Sequence, residues 1–449
     1  MAFTTTLDNP PLNIAVIGSG IAGMSAAWLL SERHAVTVYE KNGRLGGHSN
    51  TVDVETASGA TPVDTGFIVY NDITYPNLVA LFAHLGVATK RSDMSFGVSL
   101  GGGAQYSTVD ASAFLCGGRN LVSPRFWSMT YDLLRFYKNA AMDLLDTPDE
   151  TLSLGEYLTR RGYGEAFQKD HLLPQAAAIW SASLAEIRHY PACAFVRFLE
   201  NHGLTKLSGR PKWRTVEGGS RAYIRALTAR YADRVRLGAG AVHVRRDPNG
   251  VIVRDATGGD ARYDQIVIAT HADEALAMLD DADAEERRIL GAFRYAKNSA
   301  VLHTDPALMP PRQNLWASWN YVGENPDGGC VVSYWMNRLQ RLDRREQIFL
   351  TLNPRREPRE DTVLYRTEYD HPIFDAAALR AQHRIWELQG KRRTWFCGAH
   401  FGAGFHEDGL QAGLAVAERL GGVQRPWRVA EQSGRIHLPA QPAELDEAA

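Results

Sequence analysis

Cysteine is scarce in this chain: there are four among 449 residues, Cys116, Cys193, Cys330 and Cys397, and none belongs to a CxxC pair. That excludes a disulfide scaffold and a cysteine metal cluster, and it fits reduced thiols in a reducing compartment. Net charge is equally slight, since 49 basic side chains against 51 acidic ones leave −2. No global field marks a nucleic-acid binder. Long uncharged runs are missing too, apart from the nineteen residues Leu12 to Leu30. That run holds three glycines, and no Lys or Arg precedes Arg33. It lacks the basic start of a secretory leader and reads as a glycine-turn motif rather than a membrane span. A cytoplasmic protein is expected. No group of residues has metal-ligand spacing. What is plentiful is apolar side chain, 45% of residues, enough over this length for two or three domains.

The stretch from Asn13 to Gly47, NIAVIGSGIAGMSAAWLLSERHAVTVYEKNGRLGG, is the most informative. An apolar run, Ile14 to Ile17, ends in Gly18-Ser-Gly20-Ile21-Ala22-Gly23, a helix-forming segment follows, and a second apolar run closes on Glu40. This is strand, glycine turn, helix, strand, acid. Gly18 permits the tight turn, Gly20 lets the backbone approach a pyrophosphate, and Gly23 lets the helix pack on the strand. The helix start offers free N–H groups and a positive dipole end to phosphates. Glu40, twenty residues after Gly20, is placed to accept hydrogen bonds from ribose hydroxyls.

The continuation Lys41-Asn-Gly-Arg44-Leu45-Gly46-Gly47 resembles the second fingerprint of the flavin amine oxidase and phytoene desaturase superfamily. There an arginine and a glycine pair grip the FAD pyrophosphate. FAD is therefore the expected cofactor, ahead of NAD alone. The resemblance runs nearly the length of the chain. It implies an α/β fold: a Rossmann-like FAD-binding domain interleaved with an α+β substrate domain, of the amine oxidase and p-hydroxybenzoate hydroxylase kind. The FAD-binding parts would be residues 12–73, 206–272 and 391–425, the substrate parts 74–205 and 273–390, and the tail 426–449. By the same resemblance Gly66 and Phe67 pass the flavin, Val242 touches the adenine through its backbone, and Thr270 ends the strand that closes over the dinucleotide. The third segment, Gly398 to Gly413, should deliver a strand end and a helix beginning near Gly409 and Leu410. The superfamily often has Gly-Asp at this strand end, where this chain has Gly398-Ala399. Asp408 or Glu407 is the expected substitute for the ribityl contact.

Between these parts, Phe126, Met129, Leu133, Phe136, Tyr137, Ala140 and Leu144 recur at helical spacing. Basic residues Arg119, Arg125, Arg135 and Lys138 flank them. Two readings stay open for 119–145: a core-facing helix with solvated cations, or a helix lying on an anionic membrane surface. Residues 299–370 carry aromatic strand-like runs that suit an antiparallel sheet flooring a substrate cavity. The stretch Arg338 to Glu360 holds seven arginines against four acids and reads as a solvated face.

Several runs, among them GRLGGHSNT, IVYNDITYPNL, AAIWSAS, EYDHP and GFHEDGL, are similar to one bacterial branch of the superfamily. Its members are predicted NAD/FAD-binding proteins encoded beside cyclopropane-fatty-acid-synthase-like methyltransferases. Some are implicated in desaturating methyl-branched acyl chains on the way to furan fatty acids. The resemblance implies a lipid acyl substrate and a methyltransferase partner; the membrane-surface reading of 119–145 would add peripheral membrane contact. It places His406 and Glu407 as candidates for acid–base work, with His400 and His371 in reserve. The second enzymatic reading is an amine oxidase, in which Phe401 and Phe405 form an aromatic pair and Lys297 holds a water. The third is an accessory protein that binds FAD without turnover.

Overall fold

The computed structural model describes residues 10–57, 59–145, 149, 151–180, 184–201, 203–206, 209–323 and 331–439. Cys330, the end of the run AAIWSAS and residues 440–449 of the expected tail lie outside the described residues. Three helices bear most directly on function: α1 (Ile21–Leu30), α2 (Pro124–Leu145) and α3 (His406–Gly421). Packing divides the chain into two units. Unit 1 gathers 1–47, 224–294 and 377–449, and unit 2 gathers 48–223 and 295–376.

Unit 1 is built on a five-stranded sheet in the order Val235–Arg236, Ala35–Tyr39, Asn13–Ile17, Gln265–Ile268, Thr394–Phe396. Every pairing in it is parallel. A parallel sheet needs cover on both faces, and its strands accordingly read as continuous apolar runs. Helix α1 is uncharged all round and all ten of its residues are buried, as a helix without a polar face must be. The long uncharged run in the sequence is thus a strand and a buried helix. No described helix is long and apolar enough to cross a membrane. An antiparallel ribbon, Ala241–Asp247, Gly250–Asp255 and Asp260–Tyr263, belongs to the same unit. Residues 426–439, the first part of the expected tail, pack within unit 1. Trp427 stacks on Trp28 with ring centroids 5.8 Å apart, and Ile436 is buried.

Unit 2 holds a seven-stranded sheet ordered Val363–Ile373, Arg294–His303, Phe349–Leu352, Val331–Trp335, Trp319–Gly323, Phe96–Leu100, Gln105–Ser107. It is mixed rather than purely antiparallel, because Trp319–Gly323 and Phe96–Leu100 run parallel. Helix α2 buries Phe126, Met129, Leu133, Phe136, Ala140 and Leu144, so the apolar stripe read from the sequence is its core face. Phe126 and Met129 join the cluster of Phe96, Val98, Tyr106, Tyr321 and Tyr334. Each large side chain buried there contributes about 1.5–3 kcal/mol.

The sequence pattern puts the first domain boundary at residue 73, whereas packing puts it between Gly47 and His48. Thr51–Thr56 pairs with Gly59–Asp64, and Tyr70–Asn71 pairs with Trp213–Val216, all within unit 2. Conversely, the helices Ala272–Met278 and Ala284–Leu290 fall in unit 1 rather than with the substrate sheet.

Asp64 ties these pieces of unit 2 together. Its carboxylate accepts from Thr51 Oγ1 (2.6 Å), Ser220 N (2.9 Å), Ser220 Oγ (2.8 Å) and Gln340 Nε2 (2.9 Å). Burial outweighs these bonds and pushes its pKa up to about 6. The folded protein therefore holds this proton more tightly than the unfolded chain does, and stability should fall as pH rises from about 4 to about 6. The expected size is roughly 2–3 kcal/mol, which Asp64→Asn should remove from the difference between urea midpoints measured at the two ends of that window.

Candidate flavin site

The loop entering α1 is held by its own backbone. Gly18 has φ +96° and donates to Tyr39 O at 2.8 Å. A Cβ on Gly18 would lie 2.8 Å from Ala269 O, and one on Gly23 would lie 2.0 Å from Gly18 O. These two glycines are required by the chain itself. Gly20, the N-cap of α1, is different: a Cβ there would meet nothing within 4 Å. The open space in front of Gly20, beside the free N–H groups of a helix start, fits a diphosphate approaching the backbone.

The second loop closes on the first. Gly46 N donates to Ser19 O (3.1 Å), and a Cβ on Gly47 (φ +57°) would lie 3.2 Å from Gly20 Cα. Arg44 directs its guanidinium at the carbonyls of Leu45 (3.4 Å) and Gly47 (2.9 Å), so it braces its own loop. Glu40 is buried and accepts from Ser19 N (3.1 Å), Ser19 Oγ (2.5 Å), Asn42 N (2.8 Å) and Asn42 Nδ2 (2.9 Å). The expected ribose acceptor is thus anchored by Ser19 and Asn42, two residues that the sequence pattern does not single out. Lys41 forms an ion pair with Glu274 at 2.6 Å. Val242 is 42% exposed and sits at a β-bulge: Ala241 pairs with Asp255 and His243 with Arg254, leaving Val242 as the inserted residue. A bulged residue stands outside the ladder, which suits a backbone contact to a base. Thr270 Oγ1 donates to His271 O at 3.0 Å.

The third segment is expected to start its helix near Gly409, but α3 begins three residues earlier, at His406. Its glycines face α1. A Cβ on Gly409 would meet Ile21 Cγ2 at 2.9 Å, one on Gly413 would meet Ala22 O at 2.2 Å, and one on Gly421 would meet Leu30 Cδ2 at 2.6 Å. This register, start against start and end against end, makes α1 and α3 parallel. Their positive N-terminal ends lie side by side, so the dipoles of both helices act on an anion placed there. Ile21, Ala22 and Leu410 are buried at this contact zone.

The acids of α3 have other partners. Asp408 accepts from Phe405 N (2.7 Å) through one oxygen and pairs with Arg435 Nε (2.7 Å) through the other. Burial raises its pKa despite these contacts. Both oxygens of the expected ribityl ligand thus cap the helix and anchor residues 426–439. Glu407 is fully buried, and its Oε1 accepts from Gln411 Nε2 at 3.0 Å. His406 is half-buried, with its pKa pulled down to about 3 by desolvation. His400 is also brought down to about 3, by burial first and then by His271. Both rings are neutral and weak bases. Gly398 is extended, and a Cβ on it would lie 2.5 Å from the His400 ring. Phe401 is fully buried edge-on to Trp386, so it packs in the core of unit 1.

Gly66 and Phe67 belong to unit 2. A Cβ on Gly66 would lie 2.0 Å from His48 O and 3.2 Å from Tyr369 Cζ, while Phe67 N donates to His48 O at 2.8 Å. The His48 ring stacks on Tyr369 at 5.0 Å, and Tyr369 Oη contacts Thr65 Oγ1 at 2.7 Å. His371 Nδ1 pairs with Asn298 Nδ2 at 2.8 Å, and Lys297 is exposed. His48 and Tyr369 are not among the expected site residues, although they sit in the runs GRLGGHSNT and EYDHP. The arginine-rich stretch is partly neutralised, by Asp93 on Arg338, Asp343 on Arg345 and Asp361 on Arg359. Among the described residues no group of three or more His, Cys, Asp or Glu is placed to hold a metal ion.

The sheet order, the glycine cradle and the paired helix starts define a dinucleotide-binding protein. Residues 21–304, more than half of the chain, match the model for flavin containing amine oxidoreductases, and the chain belongs to that family. FAD is accordingly the expected cofactor. No curated protein matches the chain. Similar solved structures include a CLA-producing fatty acid isomerase from P. acnes, with 15% identity over 91% of this chain and 98% of that one, at a TM-score of 0.65. Cyclohexylamine oxidase from Brevibacterium oxydans IH-35A shares 16% identity over 92% and 100%, also at 0.65. A putative protoporphyrinogen oxidase from Exiguobacterium sp. 255-15 shares 16% over 91% and 98%, at 0.64. At such identities the likeness is one of fold.

The glycine geometry separates folding from cofactor binding. Gly20→Ala should keep the melting temperature of the cofactor-stripped protein and weaken FAD binding about tenfold or more, roughly 1.4 kcal/mol. Gly23→Ala should itself destabilise the stripped protein, on the order of 1–3 kcal/mol. Flavin titration and thermal melts of the two variants side by side check both statements.

Proposed function

We propose that the protein is an FAD-dependent oxidoreductase that removes two hydrogens from neighbouring carbons of a lipid acyl chain, a methyl-branched acyl group of a phospholipid. The observation that supports an acyl chain over an amine concerns the buried carboxylates of unit 2. Among its described residues these are Asp64, Asp132, Asp170 and Asp305. Asp64 is engaged by Thr51, Ser220 and Gln340. Asp132 accepts from Gly164 N (2.7 Å) and faces Arg135 (3.4 Å). Asp170 takes a two-pronged contact from Arg125 (2.7 and 2.8 Å). Asp305 accepts from Ala307 N (3.0 Å) and Arg359 N (3.1 Å). An ammonium group buried in this unit would find every such carboxylate already engaged, and an unpaired buried charge is expensive. An alkyl chain carries no such demand, and the aromatic and aliphatic interior of unit 2 suits it.

When bound, FAD supplies the two-electron acceptor for the C–H bond. The chain's own part is to bind and orient. Gly18 to Gly23 and the N–H groups of α1 would hold the pyrophosphate, and Glu40, fixed by Ser19 and Asn42, would meet the ribose. The start of α3 would place positive potential where negative charge develops. His406 and His400, with pKa values near 3, carry no charge at neutral pH. They suit hydrogen bonding to a bound group better than strong proton abstraction.

The test is anaerobic bleaching of the flavin band near about 450 nm in the purified holoprotein. One cuvette receives vesicles containing methyl-branched phospholipid, and another receives a panel of primary amines and polyamines. Bleaching by the lipid, with a new double bond found by mass spectrometry, is the expected result. Bleaching by amines alone would overturn the proposal in favour of an amine oxidase. Bound FAD that neither set reduces would leave the non-catalytic accessory role.

A further inference from the structure

Helix α2 has a second face. Besides the stripe it buries in unit 2, it presents Trp127 (47% exposed), Tyr131 (67%), Leu134 (47%) and Met142 (59%) to solvent. Lys138 falls between Leu134 and Met142 on the same face and is also exposed. The spacing of these five positions is four, three, four and four, one continuous line along the helix. The turn that leads into α2 adds Leu121 (53%) and Val122 (86%). A line of large apolar side chains held in water along a long helix marks an interaction surface.

The charges on this face decide what it meets. Arg119 and Lys138 are exposed and make no ion pair among the described residues. The acids of α2 are turned away and engaged. Asp132 is buried against Gly164 N and Arg135, and Asp143 is paired with Arg161 (3.0 Å) and the Tyr157 hydroxyl (2.9 Å). Among its described residues the exposed face of α2 therefore carries apolar groups and positive charge but no negative charge. A second copy meeting it across a two-fold axis would set cation against cation. A bilayer with anionic headgroups offers the complement: acyl chains for the apolar line, phosphates for Arg119 and Lys138, and an interfacial zone that tryptophan and tyrosine favour. The lysine in the middle of the line can reach up to the headgroups while its stem stays in the apolar layer.

We propose that α2 and the turn before it dock the protein on an anionic lipid surface, with the helix lying in the plane of the interface. This rests on the surface alone and stands whether or not an acyl chain is the substrate.

The test is sedimentation of the intact holoprotein with vesicles of phosphatidylcholine, with or without phosphatidylglycerol. Binding is expected to the anionic vesicles, weakly or not at all to phosphatidylcholine alone, and to weaken in about 0.5 M NaCl. The triple variant Val122→Ser, Tyr131→Ser, Leu134→Ser should lose roughly tenfold or more in affinity. Lys138→Glu should also lose affinity, and Lys138→Arg should retain it. Arg341→Glu with Arg344→Glu, at the basic cavity formed with Asp93 and Asn337, should bind as the parent does. Melting curves and flavin content establish that each variant is folded. No binding by the parent, equal binding by the triple variant, or a triple variant that turns a dimer into a monomer in light scattering would each overturn the proposal. Because binding is read without turnover, a failed bleaching experiment leaves this result untouched.

Discussion

Close contact between the backbones of α1 and α3 is the constraint on which unit 1 depends. A single methyl group on Gly413 would come 2.2 Å from the Ala22 carbonyl oxygen, so the two helices touch along a seam to which α3 contributes glycines rather than side chains. That seam fixes their direction, and the direction brings two helix starts to one place. The capping of α3 by Asp408 and the return of Arg435 to the same carboxylate hold the second helix in this position. The anion-attracting character of the site is thus a property of the packing, established before any ligand arrives. It costs the fold little, because α1 is apolar on every side and must be covered anyway.

The part of this legible in the sequence is the local part. Strand, glycine turn, helix, strand and acid follow one another within residues 13–40, so short-range periodicity is sufficient to place them. The core face of α2 is legible for the same reason. What the pattern does not reveal lies in contacts between distant segments. Asn42 and Ser19 anchor Glu40 through hydrogen bonds that no pattern announces. The boundary at Gly47 depends on strands 51–56 and 59–64 pairing within unit 2, and a resemblance to a cofactor segment points the other way. Residues 426–439 look polar and loose, yet Trp427 and Arg435 find specific partners in Trp28 and Asp408. The start of α3 at His406 is displaced in the sequence pattern because Gly409 resembles a loop residue, while its function is to let a helix come close.

Unit 2 shows how a protein interior can hold carboxylates that are already satisfied. Four buried carboxylates are not in themselves inhospitable to a cation, but each is committed to amide, hydroxyl or guanidinium donors. Removing a donor would expose an uncompensated charge, so these commitments are stable. The same economy governs α2, whose acids serve the interior and leave its outer face to apolar groups and cations.

The sheet of unit 1 is assembled from strands that begin at Asn13 and end at Phe396, with α3 beyond them. During synthesis the first strand, α1 and the second strand emerge early, yet the fifth strand and the helix that covers α1 are made only after unit 2 has been completed. The nascent nucleotide-binding half must therefore wait with apolar surface uncovered, while the inserted half has every partner it needs sooner. Synthesis thus delivers the last strand beside, and the helix over, the chain's most sequence-recognisable element only after the inserted half is complete.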